Sequence, residues 1–167
     1  QPLWGLSNFS VGWVSGAYFI GYVFATPVLV GLTDRYDAKY IYIFSTLFAA
    51  VGAFGFALTA QGFWGAAICW GLVGAGLAGT YMPGLQILNA RLDDDHRLRL
   101  LPYYTSAFGI GTGLSFFVMG WLYSYANWTS AFIYAGLGSL STGLLVSAVI
   151  RPQPLKNEID APRRHPR

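Results

Sequence analysis

Five runs of apolar residues limit what this chain can fold into. They cover about 10–33, 40–60, 64–90, 101–123 and 129–150, and each meets the roughly 20 residues a helix needs to cross a hydrocarbon core about 30 Å thick. Two-residue alternation is absent, which argues against a β-barrel. In lipid the backbone must satisfy its own hydrogen bonds, so these spans are expected to be helices. Charged residues make up only 10% of the chain, against about 25% in a soluble protein, too few to cover a soluble surface. The expected fold is all-α: a polytopic transmembrane bundle of five spans over residues 1–150. A tail follows over 151–167, with Pro152, Pro154, Pro162 and Pro166 among mixed charges. It has little to bury and reads as a flexible linker.

The charges orient the bundle. All ten Lys and Arg residues lie in three segments. Arg35 and Lys39 follow the first span; Arg91, Arg97 and Arg99 follow the third; Arg151, Lys156, Arg163, Arg164 and Arg167 follow the fifth. The alternate loops, 1–9, 61–63 and 124–128, carry none. The positive-inside rule then makes 34–39, 91–100 and 151–167 cytoplasmic. Trp4, Trp64, Trp121 and Trp128 fall near the outer ends, and Tyr36, Tyr40, Tyr103 and Tyr104 near the inner ends, as an interfacial belt would. With five spans the first residue is outside, so a helix upstream of Gln1 is expected to have carried it across. The plasma (inner) membrane is the expected location, with lipid as the immediate partner.

Several functions are argued against by what the spans lack. No carboxylate, lysine, arginine or histidine lies inside them, and such groups are the usual mark of proton relays and ion pathways. An intramembrane hydrolase needs an activated nucleophile or a metal, usually with a base beside it, so an enzyme is not expected. Cys69 stands alone, which rules out an internal disulfide and a cysteine-based metal site. Asp93-Asp94-Asp95-His96 invites a metal reading, but consecutive acids point in different directions and need further oxygen ligands. A solvated loop leading into the next helix is expected there, and no cofactor or metal is assigned. The net charge of +3 is too mild and scattered for a nucleic-acid partner. Asn8 and Asn127 form formal glycosylation motifs on the outer side, relevant only in a secretory pathway.

Small residues recur at helical spacing. Gly12 and Gly16, Gly109 and Gly113, and the series Gly71, Ala75, Gly79 would each clear a face for another helix. Pro27 and Pro83 should kink their spans, whereas Pro102 is expected in a first turn, where its missing N–H costs nothing.

The first inner loop reads Val30-Gly31-Leu32-Thr33-Asp34-Arg35-Tyr36-Asp37-Ala38-Lys39. It resembles the signature between the second and third helices of the major facilitator superfamily, Gly-x-Leu-Ala-Asp-Arg-x-Gly-Arg-Arg/Lys. Leu32, Asp34, Arg35 and Lys39 match; Val30, Asp37 and Ala38 depart from it. Gly71-Leu72-Val73-Gly74-Ala75-Gly76-Leu77-Ala78-Gly79 looks like the family's Gly-rich fourth helix. Trp128, followed by Thr129-Ser130-Ala131-Phe132, is similar to the opening of its sixth. The resemblance covers about 10–150 and makes the five spans helices two to six, half of a twelve-helix transporter fold. The first helix and the C-terminal half would then be missing parts of the same protein. In the family the loop aspartate acts at the cytoplasmic interface between halves, a role the resemblance gives to Asp34. Trp70 occupies a position where the family often has an arginine associated with proton coupling. The fifth helix lacks the proline of the drug/proton antiporters.

The function the resemblance implies is that of a secondary transporter or facilitator for a small solute, working by alternating access. A non-transporting membrane scaffold or receptor module is the alternative. Ser15, Tyr18, Tyr22 and Thr26 share one face of the first span, and Thr105, Thr112 and Ser115 one face of the fourth, while Tyr81 and Gln86 are polar within the third. Polar groups in a membrane prefer the bundle interior or a wet cavity to lipid. Ser15, Tyr18, Tyr22, Trp70, Tyr81, Gln86, Thr112 and Ser115 are therefore the candidate lining of a substrate cavity.

Overall fold

A computed structural model describes residues 7–59 and 62–152, apart from the side chains of Asp94 and Asp95. The described residues form five helices: α1 (Asn8–Leu32), α2 (Ala38–Thr59), α3 (Phe63–Asn89), α4 (Asp94–Tyr125) and α5 (Trp128–Val149). All five are long and apolar enough to cross a membrane. The chain is an integral membrane protein with an all-helical fold. Most of the expected tail lies outside the described residues.

Local chemistry sets the ends of the helices. Ser7 caps α1, its side chain accepting the Ser10 N–H at 3.2 Å. Asn127 caps α5, its Oδ1 accepting the Ser130 N–H at 2.9 Å and the Ser130 hydroxyl at 3.0 Å. Such caps satisfy N–H groups that a first helical turn leaves open. The glycosylation motif at Asn127 is thus also a helix start. The Asp37 carboxylate accepts the Lys39 N–H at 2.9 Å just before α2, where an anion also suits the helix dipole.

The fourth helix corrects the sequence reading. It starts at Asp94, well before residue 101, with the Asp93 carbonyl accepting the Arg97 N–H at 2.9 Å. Asp94, Asp95 and His96 are therefore helical rather than loop. Pro102 lies inside the helix, and its missing N–H removes the donor that would reach the Leu98 carbonyl. Hydropathy reported only the lipid-facing part of α4, because a helix can continue into water without an apolar pattern.

Packing centres on α3. It lies against α1 on one side and α2 on the other; α2 also packs on α5, while α4 touches α3 and α5 sparsely. Glycines permit the closest approaches. A Cβ at Gly74 would strike the Tyr18 backbone, and one at Gly21 the Gly71 backbone, so α1 and α3 meet main chain to main chain. A Cβ at Gly76 would meet Ser45 and Ala49 of α2. Small residues favour this kind of association because apolar lipid gives helices little hydrophobic reason to pair. The expected pairs Gly12/Gly16 and Gly109/Gly113 do something else: no described atom comes within 4 Å of a Cβ built there.

Candidate functional site

An aromatic node joins four helices near the ends remote from the basic segments. Phe56 of α2 stacks on Phe132 of α5, with centroids 4.3 Å apart and planes at 27°. Trp70 of α3 sits 5.5 Å from each of these rings. Trp128 approaches Phe56 edge-on at 6.3 Å. Tyr18 of α1 completes the node against Trp70 at 5.6 Å. Apart from the tighter Phe56–Phe132 stack, these separations fall within the range in which aromatic pairs attract beyond simple burial. Trp128, the first residue of α5, is partly buried against this core.

The candidate lining residues divide between this node, a second cluster and the open faces. Tyr18 and Trp70 touch and are both half-buried. Tyr22 is half-buried one turn beyond Tyr18, and Thr26 donates its hydroxyl to the Tyr22 carbonyl at 2.7 Å. Ser15 is exposed and donates to the Val11 carbonyl at 3.2 Å. Tyr81 belongs to the second cluster, with its ring 5.7 Å from Tyr104 and 4.7 Å from Phe108 of α4. Gln86 is half-buried on α3. Thr112 and Ser115 are exposed, and Thr112 donates to the Phe108 carbonyl at 2.8 Å. Serine and threonine hydroxyls here are often satisfied by the preceding turn of their own helix, as is common for these side chains.

The loop motif sits between α1 and α2. Leu32 is half-buried; Asp34 and Arg35 are exposed. The backbone bonds from Asp34 to Gly31, at 3.3 Å, and from Arg35 to Leu32, at 3.0 Å, fold the loop tightly. Lys39 is different. It is only 8% exposed, and its ammonium reaches the Ser147 carbonyl of α5 at 3.0 Å.

Sequence reasoning missed Phe56, Phe132 and Tyr104, since an aromatic in an apolar span gives no periodic signal that separates core from lipid. A usable signal for Tyr104 was Gly84 beside Pro83, which opens a gap on α3.

The chemistry these side chains offer is that of recognition. Tyr18, Tyr22 and Trp70 offer hydroxyls, an indole N–H and π faces. Among the described residues no cluster of three His, Cys, Asp or Glu could hold a metal.

Comparison with known proteins agrees with this architecture. Protein spinster homolog 1 of Xenopus laevis is 30% identical over 158 residues, covering 91% of this chain and 30% of that relative. The chain therefore spans less than a third of the relative's length. A family model described as Major Facilitator Superfamily matches residues 3–167. That match takes in all five apolar helices and the Asp34-Arg35 loop, and it places the chain in the Major Facilitator Superfamily, a family of membrane transporters.

Proposed function

We propose that this chain is part of a secondary active transporter or facilitator that carries a small solute by alternating access. The observation that carries this reading is the Tyr18–Trp70 contact, with Tyr22 one turn further along α1. It sets hydroxyl-tipped rings on a half-buried face of a span that carries no charge. A tyrosine in a dry helix contact needs its hydroxyl bonded to a neighbour; in a wet cavity, water serves. The node that ties α1, α2, α3 and α5 together also suits rocking as one body, since alternating access in such transporters is largely rigid-body motion around a fixed site.

Under this reading the basic segments face the cytoplasm of a cell whose plasma (inner) membrane holds the protein. Asp34 acts at the cytoplasmic interface with the other half of the transporter. Asp34→Asn should then lower transport more than it lowers expression.

The test of the path uses the full-length protein in a Cys69→Ser background, with cysteines at 18 and 22. Both should react with a small polar thiol reagent, and a carried solute should slow the reaction. If both stay inert while a cysteine at Ser7 reacts readily, Tyr18 and Tyr22 are packing groups and the path lies elsewhere.

A further inference from the structure

We propose that Tyr104 and Gly84 form a clamp that fixes the rotation of α4 and so aims its Thr112/Ser115 stripe at the solute path. This inference rests on the transporter reading above and adds positioning residues to it.

The helix α4 is weakly held. Every residue from Thr105 to Val118 is exposed. Its firm attachment to α3 is one cluster. The Tyr104 hydroxyl donates to the Tyr81 carbonyl at 2.8 Å. It can come that close because residue 84 has no side chain: a Cβ at Gly84 would lie 2.6 Å from the Tyr104 hydroxyl and 3.2 Å from the Tyr42 ring. Gly84 follows Pro83, which is fully buried. The Tyr81 ring then packs between Tyr104 and Phe108.

Helical geometry carries the contact outward. Tyr104, Phe108 and Thr112 are spaced by four residues and Ser115 follows three later, so all four lie on one stripe of α4. Fixing the first two fixes the direction of the last two. Among the described residues the middle of the helix has no other close packing, so the register of the Thr112/Ser115 face rests on this cluster together with the sparse contact of α4 with α5.

The test again uses the full-length transporter in a Cys69→Ser background. Cysteines at 112 and 115 are timed against a small polar methanethiosulfonate reagent, with Tyr104 intact, with Tyr104→Phe and with Gly84→Ala. Tyr104→Phe keeps the ring and removes one hydrogen bond, and Gly84→Ala pushes the hydroxyl away. Each should change the labelling rate at 112 and 115 by about fivefold, the equilibrium value of one ordinary hydrogen bond. Labelling of a cysteine at Ser7 should not change, which separates repositioning of α4 from general loosening. If 112 and 115 react equally fast with and without the substitutions, the clamp is refuted and the path reading stands. If neither position reacts in the unsubstituted protein, Thr112 and Ser115 do not line the path and the proposal falls, whatever cysteines at 18 and 22 do.

Discussion

The ammonium of Lys39, at the start of α2, donates to the carbonyl of Ser147 in the last turn of α5. That carbonyl has lost its helical donor, since the helix ends at Val149. Helix C-termini carry partial negative charge, and a cation there contributes up to about 2 kcal/mol when partly buried. The contact therefore stabilises two helix ends and ties them together. Lys39→Met, which keeps the stem but loses the charge, should lower the thermal inactivation midpoint of the full-length protein in detergent, and Lys39→Arg should restore much of the loss. A Met variant as stable as the parent would mean that desolvating the ammonium costs as much as the contact returns.

Gly71 and Gly74, nearly one turn apart on α3, should respond differently to the same added methyl. A Cβ at Gly71 would sit 3.4 Å from the Ala17 carbonyl, an ordinary contact, whereas one at Gly74 would strike the Tyr18 backbone. Gly71→Ala should leave monodisperse yield and midpoint nearly unchanged. Gly74→Ala should cost about 1–3 kcal/mol, the usual range for forced overpacking. Equal behaviour of the two variants would contradict the α1–α3 geometry described here.

Ser45 is almost fully buried, and its hydroxyl has no partner among the described residues. It lies where α2 meets Gly79 of α3. An unsatisfied buried polar group costs about 1–3 kcal/mol. Ser45→Ala should therefore leave stability unchanged or raise it, measured as the detergent midpoint. A clear loss would show that the hydroxyl is bonded in the membrane.

Sidedness can be read directly. Every Lys and Arg lies after the first, third or fifth span, and the positive-inside rule predicts that those segments share one side. Single cysteines at Thr33 and Gln61, in a Cys69→Ser background, should label from opposite faces of the membrane. Labelling from the same face would remove the topology.

The existence and order of the helices were legible because a span needs length and apolarity, and both can be counted in the sequence. The start of α4 was not, because Asp94–Leu100 is helical without being apolar. The contacts were harder still. Gly12 and Gly16 have the spacing of a helix interface yet meet no described neighbour, whereas Gly21, four residues from Ala17 and from Ala25, lies against the Gly71 backbone. Spacing shows that a face is clear but not which helix arrives there. For the candidate path, the shared face of Tyr18 and Tyr22 could be read from spacing, but the pairing of Tyr18 with Trp70 needed the position of α3 against α1. Tyr104 read only as a membrane-interface tyrosine; that its hydroxyl reaches the Tyr81 carbonyl of α3 is a long-range relationship that local periodicity does not encode.

The two-sided approach to α3 bears on how this protein can drift in sequence. Gly74 is held by α1 and Gly76 by α2, two residues apart and so on nearly opposite faces of a single turn of α3. A bulkier residue at either place cannot be absorbed by moving α3 away, since that would drive it into the other neighbour. Compensation would have to come from two helices at once. In a saturation library, α3 should therefore be the least permissive helix at its small positions, and the exposed middle of α4 should accept most apolar replacements away from the Tyr104 stripe.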